Sequence, residues 1–153
     1  MTSEPQPSPA LEAAARRRRE LRDALFALEE AISSPIRSPE TWREAVFVRL
    51  QNLQTAFGDH VSETEGEGGL YDEIEEMEAH VTSKARRLRE EHPGLHELIV
   101  GAVTRFAVPF PDGTDLGVAR DDMQRLMGRI VRHRQAGSDL VWEAYAIDIG
   151  TAG

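Results

Sequence analysis

The sequence has no cysteine. That excludes a disulfide framework and any thiolate metal site, so a metal here would have to use His, Asp and Glu. No apolar run is long enough to span a bilayer, which argues against a membrane partner. There is no excess of basic residues either. The net charge is -9 and the pI is near 5.0, which argues against nucleic acid as a partner. The opening MTSEPQPSPA carries no basic region followed by an apolar one, so no signal peptide is expected. A cytoplasmic protein is the expectation. Alternating strand patterns are nearly missing, as are a phosphate loop and a nucleophilic Ser or Cys paired with histidine.

What is present is helical periodicity. At 153 residues and 40% hydrophobic, the chain suits one domain with a real core. Residues 1–8 are expected to be a disordered tail, because MTSEPQPS has little to bury. The bundle is expected over residues 9–149. Ser8 followed by Pro9 reads as a helix start, and Leu11, Ala14, Leu21, Leu25, Leu28 and Ile32 form one stripe to about Ser33. Most of the arginines at 16–19 are expected in solvent. Ser38 and Pro39 open a second helix with Val46, Leu50, Leu53 and Phe57 on one face. The GEGG run ends it, and LYDEIEEM reads as a short helical segment. A third long helix carries Met77, Val81, Ala85, Leu88, Leu95, Ile99, Val103 and Phe106 inward. Pro93 within it should kink it or break it in two. The fourth long helix is expected over about Ala119 to Ala146, with Met123, Leu126, Met127, Ile130, Leu140, Val141 and Ala144 inward. The expected fold class is all-α: an up-down-up-down four-helix bundle with a short extra helical segment between helices 2 and 3.

Three histidines interrupt these stripes. His60 is three after Phe57, His92 is four after Leu88, and His133 is three after Ile130. Each therefore points inward, from a different helix. His80 and His96 fall beside their stripes, although His96, four after His92, could share a metal with it. One inward histidine is ordinarily a core residue with one hydrogen bond. Three are costly to bury separately, at a few kcal/mol each, unless they share a ligand, an ion or a network. Glu63 and Glu65 follow His60, Glu91 and Glu97 flank His92, and Asp139 and Glu143 follow His133. Imidazoles and carboxylates without sulfur suit iron, manganese or zinc. The candidate metal ligands are His60, Glu63, Glu65, His92 and His133. Gly137, one turn beyond His133, leaves room for an ion or allows close helix packing. His92 and His133 lie at similar heights, counted from the loop joining helices 3 and 4. His60 reaches that height only if residues 66–77 cover the bundle end.

At these residues the sequence resembles the hemerythrin-like (HHE cation-binding) family. The resemblance runs from about Leu11 to Ile149 and rests on His60 with ETE, on Glu91-His92, and on His133 in HRQAGSDLVWEAY. The closing residues are similar to those of a subgroup of small bacterial hemerythrin-like proteins. The resemblance implies a four-helix bundle holding non-haem iron, mononuclear or dinuclear. The family also draws a ligand from helix 1, where this chain has no histidine, and carboxylates from the places taken here by Thr64 and Gly137. Those departures imply a mononuclear or labile site, or a site lost altogether.

Three functions follow. The first is a bundle that binds a metal for sensing or storage, with iron as the cofactor. The second is a helical interaction module with no metal and a protein partner that the sequence does not identify. The third, an enzyme using His and Glu as acid and base, is the least favoured.

Overall fold

The computed structural model describes residues 7–151, with their side chains as far as residue 145. The described residues contain five helices and no strand. Helix α1 spans Pro9–Ser33, α2 Pro39–Glu65, α3 Leu70–Ile74, α4 Ala79–Phe106 and α5 Leu116–Thr151. The tail expected over residues 1–8 lies outside the described residues up to residue 6.

The capping signals account for the starts. The Ser8 hydroxyl accepts from the Leu11 amide at 3.1 Å, and Ser38 does the same for Thr41 at 3.4 Å. In each case proline occupies the first turn, where no amide partner is lost. Helix α5 begins three residues earlier than expected. The Asp115 carboxylate accepts from the amides of Gly117 and Val118 at 2.9 and 3.2 Å and so caps it there. Its far end also runs past Ala146, to Thr151.

Pro93 does not divide α4, which is one continuous helix. The proline is exposed, so the carbonyl it leaves without a donor can turn to water. His92, next to it, is turned about 100° away and is buried.

The long helices pack in the order α1, α2, α4, α5, with α5 closing back on α1. This is the up-down-up-down arrangement expected of short connections. Short α3 packs against α1, α2 and α4 at one end. Glycine makes that turn feasible. Gly68 has φ +71°, and a Cβ on Gly69 would stand 2.5 Å from the Glu63 carbonyl oxygen.

The apolar core falls into two clusters. The larger includes Leu21, Leu25, Leu28, Leu50, Leu53, Phe57, Ile99, Phe106 and Ile130. The smaller, at the α3 end, holds Ala14, Leu70, Tyr71, Ile74, Val81, Ala85, Leu88, Leu140 and Ala144. Fully burying a leucine or phenylalanine contributes about 1.5–3 kcal/mol, so both clusters drive folding. Between them lies a polar layer containing His60, His92 and His133.

Candidate metal centre

Each histidine reaches this layer from its own helix: His60 from α2, His92 from α4 and His133 from α5. They are 5%, 2% and 4% exposed, so water does not satisfy them. The ring centroids are 5.2 Å apart for His60 and His92, 5.6 Å for His60 and His133, and 4.9 Å for His92 and His133. One nitrogen from each ring lies within 4.8 Å of the other two. His60 attains the common height because residues 66–78 cross the bundle end before α4 begins.

The nitrogens carry the chemistry. His92 Nε2 and His133 Nε2 face each other at 3.2 Å. On their outer edges stand carboxylates: Glu91 Oε2 is 3.5 Å from His133 Nδ1, and Glu65 Oε2 is 3.4 Å from His92 Nδ1. An ionised carboxylate can only accept, so Glu91 favours the proton on His133 Nδ1. His133 Nε2 then presents a lone pair toward His92 Nε2, and the 3.2 Å contact takes either a proton from His92 or a cation between the two rings. Two nitrogens about 2.0–2.1 Å from one tetrahedral ion stand about 3.4 Å apart, close to the spacing found. His60 has no hydrogen-bond partner at either nitrogen, and His92 Nδ1 has none in hydrogen-bond alignment.

Burial, together with repulsion from the other two imidazoles and Arg18, holds His60 far below the ordinary histidine range, at about 3. His92 is likewise pushed to about 3 by burial, then by His133 and Arg89. Burial also lowers His133, with the Glu91 carboxylate opposing the shift. All three rings are therefore neutral at pH 7, the form that binds a metal.

The expected carboxylates are placed differently. Glu63 is half-buried and faces the field of Arg17 on α1. Glu65 pairs with Arg89 at 3.0 Å and meets only the outer edge of His92. Neither joins the three-nitrogen group. The inward place four residues after His60 belongs to Thr64, 2% exposed, whose hydroxyl donates to the His60 carbonyl at 2.8 Å. Glu143 is engaged with Lys84 and His80 at 2.6 and 3.2 Å, and Asp139 accepts from Gln135 at 2.9 Å. His96 is exposed and outside the group. A Cβ on Gly137 would meet nothing within 4 Å, so that glycine leaves open space and is not required by close helix packing.

Other residues complete the surroundings. The buried Phe57 ring lies 6.0, 5.8 and 6.3 Å from the rings of His60, His92 and His133, forming a floor under all three. Tyr71 from α3 stacks on His92 at 5.9 Å and 23°. Burial pushes its phenol up to about 12. Arg18 supplies the fourth helix. It is four after Ala14 and three before Leu21, both 0% exposed, so it occupies the inward register of α1. The stripe alone contained this signal, although the RRRR run reads first as a solvated surface. A cleft of about 390 Å³, lined by Glu90, Glu91, Gly94, Leu95, Arg129, Arg132 and His133, leads from the α4–α5 surface to the layer. No family model, curated protein or solved structure matches the chain.

Proposed function

We propose that this chain is a hemerythrin-like bundle that binds one transition-metal ion through His60, His92 and His133, for sensing or storage. The observation that carries the reading is the set of buried, unpartnered imidazole nitrogens, with both those of His60 among them. Leaving such groups unpaired costs about 1–3 kcal/mol each. One ion would engage a nitrogen on every ring at once. Mononuclear binding is favoured because Thr64 and Gly137 stand where bridging carboxylates would be needed. Three imidazoles suit iron, zinc, copper or nickel. Iron is the ion proposed, on the strength of the resemblance.

The test is the metal content of the full chain purified without a histidine tag, beside His133→Leu. The expected result is about one ion per chain in the parent and none in the variant. Equal metal in both, or none in the parent after incubation with iron(II) and zinc(II), would refute the reading. One observation favours the alternative, a metal-free interaction module. A single proton between His92 and His133 would satisfy the 3.2 Å contact without an ion.

A further inference from the structure

The face between α4 and α5 carries charges that the chain itself leaves unused. The two helices run antiparallel and are tied near their ends, by Arg105 and Asp122 at 2.9 Å and by Lys84 and Glu143 at 2.6 Å. Counting inward from these pairs places Gly94, Glu97 and Gly101 of α4 level with Arg132, Arg129 and Arg125 of α5. The two rows wall a groove made of two clefts. One, of about 390 Å³, includes Glu90, Gly94, Arg129 and Arg132; the other, of about 440 Å³, includes Glu97, Gly101, Arg125 and Arg129. Arg125 pairs with Asp122 at 3.1 Å. Glu90, Glu97, Arg129 and Arg132 are exposed and make no ion pair or side-chain hydrogen bond among the described residues. Further along the same face, Arg87 of α4 lies level with Asp139 of α5, with the signs exchanged between the helices.

Gly94 and Gly101 are unexplained by the chain's own packing. Both lie in the interior of α4 and are exposed, where glycine weakens a helix relative to alanine. A Cβ on either would meet no atom within 4 Å, so no neighbour in the chain requires them. Leu98, between them in sequence, is 39% exposed. Glycines seven apart leave two gaps on one helix face, where another backbone can approach closely or long side chains can lie across.

We infer that this face receives a second copy of the chain, packed face to face about a two-fold axis parallel to the helices, with Glu97 of each copy against Arg129 of the other. Such an axis lays α4 of one copy on α5 of the other at equal heights. Residues that are level within one chain then meet between the copies. Glu97 meets Arg129, Arg87 meets Asp139, and the arginines beside Arg129 lie over the gaps at Gly94 and Gly101. A two-fold axis across the helices would instead lay the acidic row on its own copy and the arginine row on its own, which like charges disfavour. An acidic peptide would neutralise the arginines but face Glu90 and Glu97 as well. The charge pattern therefore selects both the occupant and its orientation. The contact needs no ion, and it covers the cleft at His133 in each copy.

Sedimentation velocity of the full chain tests this, in chelator so that metal plays no part. At about 100 μM and low salt the parent should sediment as a dimer, since a micromolar contact is populated there. Added salt should dissociate it, because the pairs lie at the surface. Glu97→Arg and Arg129→Glu, each alone, should weaken association about tenfold or more, because each homodimer then holds two like-charge contacts. Mixed in equal amounts the two variants should associate again, since both contacts of the mixed dimer are opposite in sign. Both positions are exposed, so each variant should keep the helical circular dichroism of the parent. If either fails to fold, Arg87→Asp mixed with Asp139→Arg repeats the exchange at the second pair. A parent that stays monomeric, single variants that associate as the parent does, or a mixture that associates no better than its components each overturns the inference. All of these outcomes are independent of whether the histidines hold an ion.

Discussion

Replacing His60 by leucine should reverse the sign of its effect with metal. In the metal-free chain both nitrogens of this ring are buried without a partner. Removing them returns about 1–3 kcal/mol each. The ring contacts with Phe57, His92 and His133 are lost, at about 0.5–1.5 kcal/mol each. The buried leucine recovers about 1.5–3 kcal/mol of transfer free energy. At the midpoints of these ranges the balance favours His60→Leu by roughly 3 kcal/mol, or about 6–12 °C in Tm for a chain of this length. With metal the parent gains about 4.1 kcal/mol when the free ion is at about a thousand times its Kd, more than the variant's advantage. The variant, with one ligand of three removed, should gain little. Differential scanning calorimetry of both proteins, in chelator and in metal, reads all four values. The reasoning fails if the variant melts below the parent in chelator by more than about 1 kcal/mol, since His60 would then have a partner in the metal-free state.

Acid should destabilise the metal-free chain. His60 and His92 sit near 3 in the fold against an ordinary 6.5, so the unfolded chain binds protons first. The stability tied to these rings is whole above about pH 6.5 and is lost as pH falls toward 3, each tenfold difference in proton affinity between folded and unfolded chain being worth about 1.4 kcal/mol. Urea titrations at pH 7.5, 6 and 5 should show falling midpoints, and a constant midpoint would contradict the neutral assignment. Glu91→Gln should weaken metal binding about 10–100-fold by competitive chelation, because it weakens the acceptor that orients His133; unchanged affinity would show that Glu91 does not set the ring. Gly137→Ala should raise stability by about 0.5–1 kcal/mol, since its Cβ meets nothing and helix propensity improves. Gly69→Ala should lower it, because its Cβ would stand 2.5 Å from the Glu63 carbonyl oxygen. Denaturant melts showing the same sign for both glycines would contradict this placement.

The fold was legible because its signals are local and repeated. Ser8-Pro9 and Ser38-Pro39 mark helix starts, and stripes such as Val46, Leu50, Leu53 and Phe57 mark buried faces. The same periodicity identified His60, His92 and His133 as inward. It did not locate the carboxylates. Glu63 and Glu65 neighbour His60 in sequence, but a helix turns about 100° per residue, and Thr64 takes the inward place. Pro93 shows the converse limit. Its helix-breaking propensity was clear, but its solvent-facing position, which makes it tolerable, depends on neighbours elsewhere in the chain. Arg18 was legible from its spacing to Ala14 and Leu21, yet its identity as one of four arginines concealed it. The stack of Tyr71 on His92 joins α3 to α4, a pairing that no periodicity encodes.

The polar layer also acts as an alignment mark. Helices lined only with leucine-like side chains can slide past one another by a turn and still bury apolar surface. Here such a slip would drive His60, His92 or His133 into Leu88, Leu53 or Ile130 territory, at a few kcal/mol for each ring stranded among hydrocarbon. It would also move Arg18, in the inward register of α1 between Ala14 and Leu21, in among hydrocarbon. The layer therefore fixes the vertical offset of all four long helices even before any ion is considered. Its two flanking clusters are then free to be made of interchangeable aliphatic residues, because neither has to specify which turn meets which.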